Sequence, residues 1–291
     1  MTHHRERIQF IASTVLYGTI GMFLRFVDNI PSEAVALYRG LIGPVFILLW
    51  RFLKKEKPDI AAIRRNNFWL LISGIGLGLN WIFLFAAYVK TTVAIASLCN
   101  YMAPILVIIF TPLLLQEKLD KRKLPCIAAA LVGIILVSGV FGGHVGDPVG
   151  VILGLAGAVC YAGNVFCNRK LKDIPALDRT LMQLVFCAAT LLPYVLIRNG
   201  GRIPFPTGRS FWLVLMLGVV HTGIAYCLFF SGMAVLPVQT ISILSYLEPV
   251  IAVFCSAIFL HEPLSPFGWI GAALILLAAA VSELMPERQP A

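Results

Sequence analysis

Two ionisable side chains stand deep in apolar surroundings: Glu248, within SILSYLEPVIAVF (242–254), and Arg39, within VALYRGLIGPVF (35–46). If these stretches lie in lipid, inserting each charge costs about 2.5–3.5 kcal/mol, so each must face a partner, water or a bound molecule. Their signs are opposite. An arginine can complement a carboxylate and a glutamate an ammonium, so a zwitterion would satisfy both.

Polar residues recur around them at helical spacing. Ser97, Asn100, Tyr101 and Pro104 fall at i, i+3, i+4 and i+7, one stripe on an otherwise apolar helix. Ser242, Ser245, Tyr246 and Pro249 repeat it. Neither proline can donate to the carbonyl four residues earlier, so the oxygens of Asn100 and Ser245 are released and a kink is allowed. Released carbonyls are tolerated in lipid only against protein or a wet cavity, so both stripes should face inward. Asn80 lies one turn after Gly76, and the positions corresponding to Gly76 and Trp81 in the second half hold His221 and Tyr226. Tyr161, Asn164 and Asn168 form a further stripe. The candidate binding set is therefore Arg39, Asn80, Trp81, Asn100, Tyr101, Asn164, His221, Tyr226, Ser245, Tyr246 and Glu248. Interhelical hydrogen bonding is the competing role for the uncharged members.

Other chemistry is not expected. The seven cysteines (99, 126, 160, 167, 187, 227 and 255) form no C-x-x-C pair and read as free core residues, so no metal or other cofactor is implied. The chain has no H-E-x-x-H, no G-x-S-x-G and no paired aspartates within apolar stretches, which disfavours a membrane enzyme. Glycines such as Gly74, Gly76, Gly78, Gly150, Gly154 and Gly157 lie inside apolar stretches and read as helix-packing sites rather than phosphate-binding loops.

The elements that must hold these residues are long and apolar. The 291 residues are 59% hydrophobic and 13% charged, with a mean hydropathy of +0.88, a composition outside the soluble range. Ten spans are expected, at approximately 8–26, 33–52, 67–89, 93–115, 124–141, 149–168, 179–198, 211–233, 237–260 and 267–284, each near the roughly 20 residues that cross a bilayer. The first exceeds a usual signal-peptide core, lacks an A-x-A site after it and reads as a retained anchor. The net charge of +9 is explained by distribution rather than by a nucleic-acid partner. Of 23 Lys and Arg, Arg39 lies within a span and Arg25, Lys90, Arg198, Arg202 and Arg209 mark one set of ends. All the others mark the opposite set. The positive-inside rule then places both termini in the cytoplasm.

The chain also repeats itself. SLCNYMAPILVII (97–109) aligns with SILSYLEPVIAVF (242–254), Glu117 with Glu262, Tyr17 with Tyr161 and Arg25 with Arg169. Residues 1–143 and 144–291 are thus expected to be two five-helix units. Five is odd, so the second unit must insert upside down, and EKLDKRK (117–123) has indeed lost its basic residues in its counterpart EPLSPFG (262–268). At the repeat offset Glu248 replaces Ala103 and Arg39 corresponds to Gln183. Inverted repeats with a midplane site are a hallmark of secondary transporters.

The tandem five-helix units, the tyrosines of the first helix of each half, TTVAIASL (91–98) and the YLEP…FLHE run (246–262) resemble the drug/metabolite transporter superfamily, specifically EamA-type permeases with two EamA repeats. The resemblance covers essentially the whole chain. It implies an all-α, multi-pass protein of a bacterial-type cytoplasmic (inner) membrane, carrying a small-molecule substrate by alternating access. A small polar metabolite, an amino acid or related zwitterion, suits the charged pair; an exporter of lipophilic cations would need Glu248 and the aromatics but not Arg39. Three roles stay open for Glu248: a structural acid, protonated or paired with Arg39; a proton site coupled to transport; or a contact for a cationic group. An accessory subunit would show no flux of its own. Monomer and homodimer are both open, the latter through packing glycines such as Gly139 and Gly142.

Overall fold

The structure is a computed structural model that describes residues 4–115, 122, 124–137, 147–233, 236, 244–245, 247–262 and 264–285. Ser242, Tyr246, Gly139, Gly142 and most of the 117–123 hairpin lie outside these residues. Among the described residues the protein is helical, without strands. The helices are α1 (His4–Arg25), α2 (Ser32–Lys54), α3 (Ile60–Lys90), α4 (Val93–Asn100), α5 (Ala103–Leu115), α6 (Leu124–Val137), α7 (Pro148–Lys170) and α8 (Ala176–Arg198). They continue with α9 (Gly208–Gly218), a π-helical turn (Val219–Ile224), α10 (Ala225–Met233), α11 (Leu247–Phe259) and α12 (Pro266–Leu284).

Among the described residues six helical stretches are long and apolar enough to cross a bilayer: α1, α2, α3, α7, α8 and Gly208–Phe229, which runs through the π turn. Val93–Val107, Leu124–Val137, Leu247–Phe259 and Pro266–Val281 are shorter apolar helices. Local chemistry sets the boundaries. Asp59, Thr92, Asp147 and Ser265 accept backbone N–H bonds at the starts of α3, α4, α7 and α12, and Pro148 and Pro266 begin α7 and α12, where a missing N–H is harmless. The 93–115 stretch, expected as one span, is interrupted at Tyr101–Met102. Pro104 follows just inside α5, and Met102 N–H turns back to the Cys99 carbonyl at 3.1 Å, so the break is the one that proline imposes.

The packing respects the repeat. α3 lies on α7 and α8, while its counterpart, the α9–π–α10 stretch, lies on α1 and α2. α1 packs on α11, and α7 on α4 and α5; α2 meets α8, and α6 meets α12. Exchanging α1–α6 with α7–α12 maps this set of contacts onto itself. Close approach depends on glycine. A Cβ at Gly78 would sit 2.8 Å from Thr190 Cβ on α8, and one at Gly133 2.8 Å from Gly271 O on α12. Bundles in lipid gain little from apolar burial and rely on such contacts. Two apolar cores result. One centres on α2, α3, α8 and α9, the other on α4, α6, α7 and α12.

Candidate functional site

A cavity of about 380 Å³ opens near the middle of the bundle, lined from α1, α2, α3, the α4–α5 turn, α7, α10 and the start of α11. Eight of the eleven candidates line it: Arg39, Asn80, Trp81, Asn100, Tyr101, Tyr226, Ser245 and Glu248. Tyr246 is not among the described residues. The inward-facing stripe expected of residues 97–104 is present, since Asn100, Tyr101 and Pro104 face the cavity and Ser97 is buried against Tyr88, Oγ to Oη 3.2 Å.

Arg39 is 3% exposed. Its Nε donates to Thr222 Oγ1 at 3.1 Å, and its guanidinium carbon lies 4.5 Å from the Trp81 ring centre and 5.4 Å from that of Phe85. Thr222 is fixed in turn, donating to the Leu217 carbonyl at 3.0 Å across the π turn. The ion pair with Glu248 considered from the sequence is not formed, because the aromatic faces and Thr222 hold the guanidinium instead. Neither Nη group of Arg39 has a hydrogen-bond partner among the described residues.

Glu248 faces the same cavity from another wall. Tyr101 Oη lies 2.9 Å from Glu248 Oε2 and 3.0 Å from the Ser245 carbonyl, the oxygen that Pro249 leaves free. A phenol has one hydrogen for these two acceptors. Asn80, buried on α3, spends both N–H bonds of its amide on Asn100 Oδ1 (2.7 Å) and the Gly157 carbonyl (2.9 Å), tying α3 to α4 and α7.

Asn164 and His221 do not line the cavity. Asn164 donates to the Ser73 carbonyl at 2.8 Å and accepts from Asn168, which together with Gln183 and Ser73 forms a network linking α3, α7 and α8. His221 packs edge-on against Phe23, with Nε2 3.1 Å from Thr19 Oγ1. The Thr19 hydroxyl also reaches the Leu16 carbonyl at 2.8 Å, and the imidazole tautomer decides which of these partners receives its hydrogen.

Several lining residues were not among the candidates: Tyr17, Leu84, Phe85, Tyr88, Tyr161 and Phe229. Tyr17 and Tyr161 carried a signal, since each is the other's repeat counterpart. Tyr17 Oη is buried without a partner. Phe85 and Tyr88 follow Trp81 along one face of α3, a spacing that could have named them.

The packed apolar helices around a central polar and aromatic cavity define a multi-pass helical membrane protein. The sequence profile described as "EamA-like transporter family" matches residues 6–139 and 148–283, and the chain belongs to that family. Among its relatives are an uncharacterized transporter, YxxF, of Bacillus subtilis, 26% identical over 279 residues, covering 94% of this chain and 88% of the relative. An uncharacterized transporter of Archaeoglobus fulgidus is 28% identical over 275 residues, with 94% of each chain covered. The pseudopaline exporter CntI of Pseudomonas aeruginosa is 27% identical over 225 residues, covering 73% of this chain and 76% of that one. A crystal structure at 21% identity superposes with a TM-score of 0.67 over 96% of this chain and 97% of its own, a likeness of fold. Family and relatives indicate a membrane transporter rather than an enzyme.

Proposed function

We propose that this protein is a secondary-active transporter of a small polar zwitterion, an amino acid or related metabolite, working by alternating access. The observation that carries the reading is the pair of opposite charges, Arg39 and Glu248, on one cavity of about 380 Å³ without an ion pair between them. The two Nη groups of Arg39 suit a carboxylate, Glu248 an ammonium, and Trp81, Tyr101 and Tyr226 the remaining surface. The volume is at the low end for ligand pockets, about 300–1,000 Å³, which favours a small substrate over a bulky drug. The proposal includes ten spans in two oppositely inserted halves, 1–143 and 144–291, with both termini in the cytoplasm of a bacterial-type inner membrane. The charge asymmetry of the span ends supports that orientation.

A proton on Glu248 is part of the proposal. When protonated, Glu248 donates to Tyr101 Oη and the phenolic hydrogen goes wholly to the Ser245 carbonyl, which satisfies both of these contacts. When ionised, it leaves one hydrogen shared by two acceptors, so substrate arrival and proton release can be linked at this group.

The test is thermal stabilisation of the purified protein by amino acids, amines, sugars, nucleotides and lipophilic cations, followed by flux in proteoliposomes with an internal pH dye. A ligand at 100 times its dissociation constant adds about 2.7 kcal/mol to the native state. Zwitterions should stabilise the protein, and Arg39→Gln and Glu248→Gln should each abolish that response while remaining folded. Stabilisation by lipophilic cations that survives Arg39→Gln would overturn the zwitterion reading. Flux without any pH change inside the vesicles would overturn the proton.

A further inference from the structure

α2 and α8 are antiparallel and in contact along their lengths. Passing up α2 from Glu33 through Gly40 and Gly43 to Arg51, the residues met on α8 descend from Arg198 through Ala188 and Leu184 to Asp178. Each helix begins with an acid in its first turn and ends with an arginine in its last, so an antiparallel pairing places one ion pair at each end. The acids Glu33 and Asp178, 145 positions apart, correspond under the repeat, whereas Arg198 stands at the position of Lys54, about one turn beyond Arg51 on the same helix end.

The structure engages them unequally. Arg51 and Asp178 pair closely with side chains 6% and 1% exposed, and the second oxygen of Asp178 accepts the Asp59 N–H at 3.1 Å. Glu33 and Arg198 stand at 4.0 Å with side chains 17% and 64% exposed.

Repeat-related sites in unequal states are what an asymmetric arrangement of two similar halves produces, and exchanging the roles of the halves generates a second arrangement in which the inequality is reversed. We infer that Arg51–Asp178 and Glu33–Arg198 are alternative latches on the α2–α8 pair. In the state seen here the first is closed and the second open; in the other state the first opens and Glu33–Arg198 closes. The inference rests on the alternating-access reading and gives its two states named contacts. The chemistry suits a switch, because a buried, doubly bonded pair is sensitive to loss of one partner and an exposed one contributes little until it closes. A residue change at either latch acts on one state only, and so shifts the populations in a predictable direction.

The test is pulsed electron–electron distance measurement on the full-length protein in lipid, with the native cysteines replaced. Spin labels at Lys54→Cys and Ala176→Cys report the Arg51 end, and labels at Ser32→Cys and Ile197→Cys the Arg198 end. Asp178→Asn should lengthen the first distance and shorten the second together, changing the population ratio about tenfold, which corresponds to about 1.4 kcal/mol. Glu33→Gln, at the longer pair whose arginine is exposed, should move both distances in the opposite sense. Opening of the Arg51 end with no change at the Arg198 end is local fraying and overturns the inference, as does any movement of both ends in the same direction. Flux in the wild type with uncoupled ends would refute the latches and leave the transport reading standing. Coupled ends without flux of any tested solute would do the reverse.

Discussion

The contact between Tyr101 and Glu248 joins residues from the two repeats, and a double-mutant cycle measures what it contributes. Tyr101→Phe removes the hydroxyl that lies 2.9 Å from Glu248 Oε2 and 3.0 Å from the Ser245 carbonyl. Hydrogen bonds between membrane helices average about 0.6 kcal/mol and reach about 1.7, so losing both should destabilise the protein by about 1–3 kcal/mol. Glu248→Ala removes one of the two contacts and leaves the other, since the Ser245 oxygen belongs to the backbone. The coupling term therefore isolates the carboxyl contact and should be about 0.6–1.7 kcal/mol, while the residual cost of Tyr101→Phe in the Glu248→Ala background reports the carbonyl freed by Pro249. The assay is reversible unfolding of the four proteins in mixed micelles, with α-helical circular dichroism as the signal. Coupling below about 0.3 kcal/mol, the level at which independent sites add, would refute the claim that this pair bridges the repeats.

Two further outcomes are expected. Gly78→Leu should destabilise by about 1–3 kcal/mol through overpacking, because its Cβ would lie 2.8 Å from Thr190 Cβ and 3.1 Å from the Cys187 carbonyl; the same substitution at Gly163, which meets nothing within 4 Å, should cost far less, and equal unfolding midpoints for the two would contradict the packing account. At the α1–α2 connection, the Ser210 hydroxyl that donates to Asp28 Oδ1 at 2.7 Å holds the Asp28 carboxyl below its usual range, aided by Asp28's own backbone and by Arg209. A depressed carboxyl contributes stability that is present above its unfolded pKa, about 3.9, and is lost as pH falls through the folded value. Ser210→Ala should flatten the acid side of a melting-temperature profile, and an unchanged acid slope would show that Ser210 is not the main cause.

What could be read from the sequence divides along physical lines. A kink at Pro104 was legible because proline acts through its own missing N–H, though the full break between α4 and α5 was not, since 93–115 was expected as one span. The inward stripe of residues 97–104 was legible because a polar side chain in lipid has few places to go. Asn164 and His221 were assigned to the cavity on that same logic, and it could not discriminate further: whether an inward polar group meets a cavity or a facing helix depends on Ser73 and Thr19, which come from other elements. The π turn at Val219–Ile224 left only Thr222–Gly223 as a trace. An i−5 register is chosen by packing, and here it aims Thr222 at both the Leu217 carbonyl and Arg39. Tyr17 and Tyr88 were overlooked because a tyrosine on an apolar helix is compatible with any face.

The repeat separates scaffold from site. Tyr101, which agrees with Tyr246 in the second half, makes an interhelical contact to the Ser245 carbonyl, and the contacts among the helices map onto themselves. The cavity's charges come from positions that disagree. Glu248 stands where the first half has Ala103, which also faces the cavity, and Arg39 where the second half has Gln183, which is spent on Ser73 and Asn168. A cavity between two identical halves would present the same chemistry to both ends of a ligand. One acid and one arginine, each without a counterpart, give it a direction, and on the proposed zwitterion reading Glu248→Ala or Arg39→Gln, each restoring one symmetric position, should abolish stabilisation by zwitterions while leaving the bundle assembled.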